Sequence, residues 1–178
     1  MELFKNYKKR YPTERMLVVE PIGPLLERQL TKKDVNALVD IIATNFIGRY
    51  VSKSAYSRVL KNKSYVYLGY YHKGRLIAVL GLQFKRNDMY IANIVVDEKH
   101  RGHGLATELL TRAFYVNAMA HGLLKPKSTL HVFVDNEPAK KVYHRLGYKQ
   151  VKKHDRFYRN GDSAYSMVKS LVVSTKEE

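Results

Sequence analysis

The chain has 178 residues, the size of a single domain, and its 45% hydrophobic and 27% charged residues exclude an intrinsically disordered protein. The absence of cysteine excludes disulfides and thiolate metal ligands, no metal site is predicted, and the absence of a long apolar run predicts a cytoplasmic protein without a membrane span. The 32 Lys and Arg against 16 Asp and Glu give a formal net charge of +16, which favours a polyanionic partner such as a phosphate-rich cofactor, a nucleic acid or an acidic protein.

The chain is predicted to contain one domain, because no internal repeat or linker divides it. Residues 1–24 are predicted to be an N-terminal extension, since charges are mixed along them and a Pro-Ile-Gly-Pro turn closes them at 21–24. The domain itself is predicted to cover residues 25–172. Residues 173–178 form a polar C-terminal tail.

Apolar and β-branched runs bounded by turn signals predict seven strands. A Lys-Gly pair at 73–74 and an Asn-Asp pair at 87–88 connect three of them into an antiparallel meander. An Asn-Gly pair at 160–161 is a strong hairpin signal near the C-terminus. The predicted strands cover residues 25–30, 65–72, 75–85, 89–97, 128–134, 148–158 and 163–172.

Apolar residues that recur with a period near 3.6 predict four helices. Thr31 and Asn136 are residue types that cap helix N-termini, and Gly122 and Gly147 suit helix C-termini. The element order is therefore βααβββαβαββ, an α+β domain with one mixed, mostly antiparallel central sheet flanked by helices. The four helices are predicted to begin at Thr31, near residue 52, near residue 105 and after Asn136.

A tight glycine turn separates a buried strand from the start of the long third helix, in the segment IVVDEKHRGHGLA at 94–106. Unpaired backbone N–H groups at a helix N-terminus form an anion site together with the helix dipole. Gly102 and Gly104 let the backbone approach a pyrophosphate without a Cβ in the way. Arg101 and His103 add side-chain donors. The segment therefore predicts a phosphate-binding turn.

Two other phosphate motifs do not fit this turn. A dinucleotide fingerprint requires a third glycine where this chain has Thr107, and an acidic residue about twenty positions later, where the chain reads Lys-Pro-Lys-Ser. A P-loop requires Gly-Lys-Ser/Thr, which is absent from the sequence. The turn therefore belongs to another class of phosphate site.

The segment RGHGLA at 101–106 resembles the coenzyme A motif of the Gcn5-related N-acetyltransferase (GNAT) superfamily, (R/Q)-x-x-G-x-(G/A). A second segment, NEPAKKVYHRLGY at 136–148, resembles the family pattern N-x-x-A-x-x-x-Y-x-x-x-G-(F/Y). The order of elements in the family also agrees with the predicted order over residues 25–172. The resemblance implies a GNAT-like domain that transfers an acetyl group from acetyl-CoA, as co-substrate, to an amine.

The resemblance also implies which residues bind acetyl-CoA. The backbone of one strand end would pair with the pantetheine arm, beside a splayed neighbouring strand. The glycine turn would hold the pyrophosphate, and Asn136, a helix cap by its position, would also contact the pantetheine. The implied residues are Ile94, Val95, Val96, Arg101, Gly102, His103, Gly104, Leu105, Ala106 and Asn136.

Tyr143 is the candidate general acid that the second motif implies. A phenol with a pKa near ~10 is protonated at neutral pH and can donate to a thiolate whose conjugate acid has a pKa of ~8.5. Spacing alone indicates a core tyrosine on an apolar helix face. Within the motif, the general acid is the favoured interpretation.

No general base follows from the sequence. Many family members carry a carboxylate at the positions of Ala92 and Asn93, and neither of these side chains accepts a proton at neutral pH. His72, His131 and Glu98 qualify by residue type only. The missing carboxylate favours an acceptor that needs no strong base, such as an α-amine with a pKa of ~7.7–8.0 instead of a lysine at ~10.4.

Residues 136–160 contain eight Lys and Arg against Glu137 and Asp155. Three interpretations are open: a solvated face, a site for the 3′-phosphate of coenzyme A, or a surface for an RNA-bearing acceptor such as an aminoacyl-tRNA or a ribosomal assembly. Cationic polyamine or aminoglycoside acceptors are less favoured by a charge of +16, whereas protein N-termini and small amine metabolites stay open. The cations are Lys140, Lys141, Arg145, Lys149, Lys152, Lys153, Arg156 and Arg159, with Tyr148, Phe157 and Tyr158 among them as candidates for base stacking.

The alternative function is a nucleic-acid-binding protein, or a catalytically silent acyltransferase fold that serves as a binding module. Both cofactor motifs are intact and no known nucleic-acid module is present, which favours the enzyme. Three roles stay open for the N-terminal extension: packing on the sheet edge, covering the acceptor groove, or forming a homodimer.

Overall fold

The predicted α+β fold with one mixed, mostly antiparallel sheet is confirmed in the computed structural model. The structure describes residues 14–46, 51–85, 88–121 and 127–170, and side chains of the long third helix as far as residue 113. Asn87 in a predicted turn, Gly122 at a predicted helix exit and the polar tail lie outside the described residues.

Within the described residues, eight strands form a single sheet. They are β1 (Glu14–Val19), β2 (Gly23–Gln29), β3 (Tyr65–His72), β4 (Arg75–Lys85), β5 (Asp88–Val96), β6 (Lys127–Phe133), β7 (Lys149–His154) and β8 (Ala164–Ser170). Their order across the sheet is β1-β2-β3-β4-β5-β6-β8-β7. Neighbouring strands are antiparallel except β5 and β6, which are parallel because a helix crosses over between them.

In the described part of the chain, four α-helices flank the sheet: α1 (Val35–Asn45), α2 (Lys53–Val59), α3 (Leu105–His121) and α4 (Glu137–Arg145). Thr31 forms the predicted cap, although it caps a 3-10 turn that leads into α1 and not the α-helix itself. The Thr31 N–H donates to the Asp34 carboxylate at 2.7 Å and the Lys33 N–H donates to the Thr31 hydroxyl at 3.3 Å, which is a capping box. Among the described helices, none is long and apolar enough to cross a membrane.

Strand β1 lies within the segment indicated as an extension and was not predicted. It pairs with β2 along its whole length and forms one edge of the sheet. Met16 and Val18 face solvent, with 65% and 67% of their surfaces exposed, so this strand shows no alternation between apolar and polar residues. Without that alternation the sequence carries little strand signal.

The strand predicted over residues 148–158 is shorter in the structure, and β7 ends at His154. Arg156 has a φ of 51°, which lies in the left-handed region and interrupts an extended strand. Phe157 and Tyr158 therefore belong to the loop between β7 and β8, and Phe157 is 42% exposed. The predicted turn at Gly161 is confirmed, since its N–H donates to the Tyr158 carbonyl at 2.9 Å.

The sheet buries a core on each of its two faces. Helices α3 and α4 cover one face, where Leu109, Tyr143 and Met167 belong to a common cluster. Helices α1 and α2 cover the other face, and the described cluster there includes Leu38 and Tyr67 but no residue of β6, β7 or β8. In that half of the second face, Phe157 and Tyr158 of the β7–β8 loop stack on His131 and Phe133 of β6.

A buried carboxylate connects the edge hairpin to α3. Glu27 is 4% exposed and accepts from Arg15 Nη2 at 2.8 Å and from Arg112 Nε at 3.0 Å. Arg15 Nη2 also donates to Glu108 Oε1 at 3.0 Å. Since Glu108 and Arg112 belong to α3, these ion pairs attach β1 and β2 to the helix that follows the glycine turn.

Candidate functional site

Strands β5 and β6 separate halfway along their length. Their parallel pairing ends at the Ile91–Leu130 pair, whereas the opposite edge of β5 stays paired with β4 as far as Val96. Ala92 is an extra residue in the β4–β5 register, and such a bulge bends a strand. The predicted splay is therefore present, and the backbone of residues 94–96 borders a gap on one edge.

Two cavities meet at this gap. The larger, of about 600 Å³, follows the end of β5 and the glycine turn. The smaller, of about 140 Å³, lies between the separated strands. A ligand that extends from one to the other would pass the residues that line both, namely Phe46, Ile94, Phe133, Asn136 and Ala139.

The glycine turn has the backbone geometry of an anion site. Gly102 and Gly104 have φ angles of 82° and 78°, and an added Cβ at either would meet no atom within 4 Å. The Glu108 N–H donates to the Gly104 carbonyl at 3.0 Å, so the N–H groups of residues 105–107 form the unpaired first turn of a 17-residue helix. Open space at the glycines, N–H groups without an intrahelical partner and the helix dipole together fit a pyrophosphate.

The structure brings nine of the ten predicted cofactor residues to the larger cavity, and His103 is the exception. The ring Nδ1 of His103 lies 3.3 Å from the His100 carbonyl oxygen, which keeps this side chain within the turn. The nine lining residues are Ile94, Val95, Val96, Arg101, Gly102, Gly104, Leu105, Ala106 and Asn136.

Arg101 fixes the turn against neighbouring elements. Its Nε donates to the Val96 carbonyl at 3.1 Å, and its Nη2 donates to Asn45 Oδ1 at 2.6 Å. Asn45, the last residue of α1, donates in turn to the Ile41 carbonyl at 2.9 Å. Sequence reasoning missed Asn45, because a helix-end asparagine is usually a cap and nothing in the sequence places it beside residue 101.

Asn136 has the predicted capping role. Its Oδ1 accepts from the Ala139 N–H at 3.2 Å at the N-terminus of α4. The same residue lines both cavities, so α4 begins at the point where the strands separate. The cap therefore positions the helix that carries Tyr143.

Tyr143 is a buried residue that also lines the smaller cavity, with 5% of its surface exposed. Its ring lies edge-on to that of Tyr148, with centroids 5.8 Å apart. Burial, and to a smaller extent Tyr158, raise the pKa of Tyr143 above its ordinary value. The phenol is therefore protonated at neutral pH, as a general acid must be.

Asn93 is held by two tyrosines at the position where many family members carry a carboxylate. The Tyr67 hydroxyl donates to Asn93 Oδ1 at 2.7 Å, and the Tyr56 hydroxyl does so at 3.5 Å. An amide oxygen that accepts these bonds offers no basic group. Ala92, its neighbour, has no polar side chain at all.

A histidine cluster lies on the second face of the sheet beside the smaller cavity. The Tyr90 hydroxyl lies 3.1 Å from His131 Nδ1, and both residues line this cavity. Burial, followed by His154 and Lys85, lowers the pKa of His131, which keeps its imidazole neutral at pH 7. His131 is thus the one base candidate of the sequence that reaches the cavity.

The two other candidates lie elsewhere. His72 Nδ1 is 3.1 Å from the Pro24 carbonyl oxygen, at the far end of β3, and Glu98 belongs to a 3-10 turn before the glycine turn. Neither lines a cavity at the splay among the described residues. Tyr90 was missed by sequence reasoning, since only the β5–β6 register places it beside His131.

A family model described as "Acetyltransferase (GNAT) family" matches residues 35–148. This match covers more than half of the chain and includes the glycine turn, Asn136 and Tyr143. The residues that form the splay and both cavities are therefore mostly within the matched range.

Similar proteins agree with this match. The chain is 33% identical over 101 residues to the N-alpha-acetyltransferase MAK3 of Arabidopsis thaliana, over 54% of this chain and 52% of that protein, so it spans about half the length of that relative. It is 27% identical over 145 residues to a candidate ribosomal protein bS18-alanine N-acetyltransferase of Bacillus subtilis, over 79% of this chain and 91% of that protein.

A solved structure shares the fold. The crystal structure of Arabidopsis thaliana NAA60 in complex with acetyl-CoA superposes with a TM-score of 0.71 at 20% identity, over 82% of this chain and 98% of that chain. At this identity the likeness shows a common fold.

Proposed function

Because the chain belongs to the acetyltransferase (GNAT) family, whose co-substrate is acetyl-CoA, we propose that it acetylates the α-amine of a protein or peptide N-terminus. The observation that carries the proposal is the junction of two cavities at the β5–β6 splay, with Tyr143 and the Tyr90–His131 pair on its walls. The site thus offers an acid and a base to one reaction.

The larger cavity accounts for binding of acetyl-CoA. The N–H groups from Gly102 to Ala106 would bind the pyrophosphate, and the unpaired edge of residues 94–96 would bind the amide groups of the pantetheine arm. The thioester would then extend toward the smaller cavity. Arg101 holds the turn and the strand end in this arrangement through its bonds to Val96 and Asn45.

Tyr143 would protonate the leaving thiolate. Its hydroxyl donates to no protein group within the described part of the chain, so the proton is available to a ligand in the smaller cavity. Burial raises the pKa of Tyr143, which ensures that the phenol carries its proton at the start of the reaction.

His131 would remove the proton from the acceptor through Tyr90. The ammonium group of the acceptor must lose one proton before its nitrogen can attack the thioester. Tyr90 can accept this proton while it donates its own to His131 Nδ1. His131 is a weak base, because its pKa is lowered. Such a base suits an α-amine, at a pKa of ~7.7–8.0, better than a lysine side chain at ~10.4.

The lining of the smaller cavity also fits an N-terminus. Among its described lining residues there is no Asp or Glu, so the cavity lacks the carboxylates that would attract a polyamine. Phe46, Phe133 and Phe157 give it apolar walls instead. Both relatives described above carry names of N-terminal or alanine N-acetyltransferases, which supports the same acceptor class.

The proposal is tested with matched peptides. One peptide has a free N-terminus and no lysine, and its partner has a blocked N-terminus and one internal lysine. Thiol release from acetyl-CoA gives the rate, and mass spectrometry locates the acetyl group. We expect acetylation of the free α-amine only. Acetylation of the lysine peptide alone, or of neither peptide by a folded protein that binds acetyl-CoA, would contradict the proposal.

A second candidate acceptor is one that carries RNA, such as a ribosomal protein within its assembly. Lys140 pairs with Glu137 and Lys153 with Asp155, but no ion pair with a described residue is recorded for the six other cations of residues 136–160. All six are exposed. They are Lys141, Arg145, Lys149, Lys152, Arg156 and Arg159.

A salt titration distinguishes an RNA-binding surface from a surface that contacts only solvent. We expect acetylation of an RNA-bound substrate to fall steeply between about 50 and about 200 mM salt, and acetylation of the same isolated peptide to fall little. Replacing Lys149, Lys152 and Arg156 with Gln should flatten the slope. Replacing Lys53, Lys61 and Lys63, which are exposed on another part of the chain, should not. Equal slopes for both substrates would exclude the RNA surface.

A further inference from the structure

Two further hydrogen-bond contacts continue the Tyr90–His131 pair across the same face of the sheet. His131 Nδ1 lies 3.1 Å from the Tyr90 hydroxyl, and His131 Nε2 lies 3.0 Å from Ser166 Oγ. Ser166 Oγ in turn lies 2.6 Å from Nε2 of His154. The four residues stand on four neighbouring strands, β5, β6, β8 and β7, so the contacts run from the smaller cavity to the outer edge of the sheet.

The donors and acceptors of this series fit a single direction. If Tyr90 donates to His131 Nδ1, then Nε2 of His131 carries the hydrogen and donates to Ser166. The Ser166 hydroxyl can then donate to Nε2 of His154. Each group in this arrangement donates one bond and accepts the next, which is the condition for transfer of a proton along hydrogen bonds.

The surroundings keep the series in place. Phe157 stacks on His131 with ring centroids 4.3 Å apart and planes tilted by 19°, and the rings of His131 and His154 are 5.3 Å apart. Around His131, the groups that titrate or carry charge are Tyr90, His154 and Lys85. His154 is only partly buried, on the edge strand, so it can exchange a proton with solvent.

We propose that Ser166 and His154 act through His131 to carry the proton of the acceptor amine to solvent. This inference rests on the proposed function, since it extends the role given there to His131. Tyr90 takes one proton from the ammonium group and gives its own to His131 Nδ1. His131 passes its Nε2 hydrogen to Ser166, Ser166 passes its hydrogen to His154, and His154 releases one proton to water. One proton thus leaves the amine and one enters solvent.

The direction of the relay is tested without substrate. Nitrogen NMR of the histidine rings at about pH 8 reports which nitrogen of His131 carries the hydrogen. The relay requires the hydrogen on Nε2 in the wild-type protein. Hydrogen on Nδ1, with His131 donating to Tyr90, would overturn the proposal whatever the activity of the enzyme.

The function of the relay is tested on the free α-amine peptide. We expect Ser166→Ala to lower kcat about tenfold or more at unchanged KM, and Ser166→Thr, which keeps the hydroxyl, to restore most of it. Ser170→Ala on the same strand is the matched control and should match the wild type. His154→Gln should also lower kcat, and imidazole added to the buffer should restore it in proportion to its concentration, whereas His72→Gln should need no imidazole.

The outcomes distinguish this inference from the proposed function. If the wild type does not acetylate the peptide, the proposed function fails, and the NMR result still decides the direction of the hydrogen bonds. If the wild type is active but Ser166→Ala and His154→Gln keep the wild-type kcat, the relay is wrong while the proposed function stands. A loss in His154→Gln that imidazole does not restore would indicate a structural role and would also overturn the relay.

Discussion

The hydroxyl of Tyr67 donates a 2.7 Å hydrogen bond to the side-chain oxygen of Asn93, across the β3–β4–β5 meander. Gly81 lies between them on β4, and an added Cβ there would come within 2.5 Å of the Tyr67 ring. The glycine thus makes room for the ring that reaches Asn93. The position that many family members use for a carboxylate is here part of a partly buried polar contact.

Tyr67→Phe should therefore reduce stability and leave the chemistry nearly intact. The change removes the shorter hydrogen bond to the Asn93 oxygen, which should cost about 1–2 kcal/mol in the free energy of unfolding. We expect kcat to change less than about threefold, because Asn93 transfers no proton. Urea denaturation and thiol release measure the two effects.

The matched control for this variant is Tyr65→Phe, since Tyr65 is partly buried and no hydrogen bond of its side chain to a described residue is recorded. It should cost less than about 0.5 kcal/mol. A tenfold fall in kcat for Tyr67→Phe at nearly wild-type stability would mean that the Tyr67–Asn93 contact takes part in the reaction.

Gly104→Glu should abolish binding of acetyl-CoA while the protein stays folded. The new side chain would project into open space at the phosphate turn, where its charge repels the pyrophosphate. The backbone φ of 78° at position 104 should add a strain of about 1–2 kcal/mol in the variant, because a residue with a Cβ rarely adopts this conformation. Isothermal titration calorimetry measures the binding.

Gly23→Glu is the control for that variant. Gly23 also has a left-handed φ, of 97°, and open space around its Cβ position, but it lies in the β1–β2 hairpin. The Gly23→Glu variant should show the same strain but bind acetyl-CoA with the affinity of the wild type. If Gly104→Glu binds acetyl-CoA as the wild type does, the turn is not the phosphate site.

Tyr143→Phe should lower kcat by about a hundredfold or more and change KM little, because a general acid acts only in the transition state. The loss should be smaller for an acyl donor whose leaving thiol is more acidic, since that thiolate needs less help. Tyr148→Phe is the control within the same aromatic pair: it loses the contact with the Ser128 hydroxyl and should lower stability, not kcat. Equal kcat values for Tyr143→Phe and the wild type would remove the acid role.

The sequence predicted the elements that local patterns define. The β3–β4 hairpin has the predicted bounds, because its nearly continuous apolar runs and its Lys-Gly turn carry the signal. The splay beside residues 94–96 came from family resemblance and is present. Strand β1 was missed, because its strand character comes from pairing with β2 and from the ion pairs of Arg15 and not from its own pattern.

The candidate site was predictable only in part, for a related reason. The glycine turn and the cap at Asn136 are contiguous in sequence, so a motif can reveal them. Tyr90, His131, Ser166 and His154 are brought together by register across four strands, and no spacing in the chain encodes that proximity. The sequence alone did not distinguish His131 from the other candidate bases, and only the order of the strands places it beside the cavity.

The dependence of kcat on pH should report His131. Its lowered pKa lies below the ordinary value of ~6.5, and the protonated ring cannot accept a proton, so kcat should fall only as the pH drops below about 6.5. The raised pKa of Tyr143 keeps the acid protonated, so no alkaline loss should occur up to about pH 10. Measurement of kcat at saturating substrate between pH 5 and 10 gives this profile.

Lys85→Met should move the acidic limb of that profile to higher pH. The Lys85 charge is one of the causes that lower the pKa of His131, next to burial and His154, and its removal makes the imidazole easier to protonate. Lys63→Met, another exposed lysine, should leave the limb in place. An acidic limb that does not respond to Lys85→Met would mean that a different group titrates.

Arg15→Met tests whether the N-terminal strand is part of the stable domain. The variant keeps most of the aliphatic packing but leaves buried Glu27 with Arg112 as its remaining described ion-pair partner, which should lower the free energy of unfolding by about 2–3 kcal/mol. Arg159→Met, at an exposed cation with no recorded ion pair to a described residue, should cost less than about 0.5 kcal/mol. Because Glu108 and Arg112 lie on α3, the Arg15 variant should also weaken binding of acetyl-CoA severalfold. Stability and affinity equal to those of Arg159→Met would show that the β1 strand is dispensable to the domain.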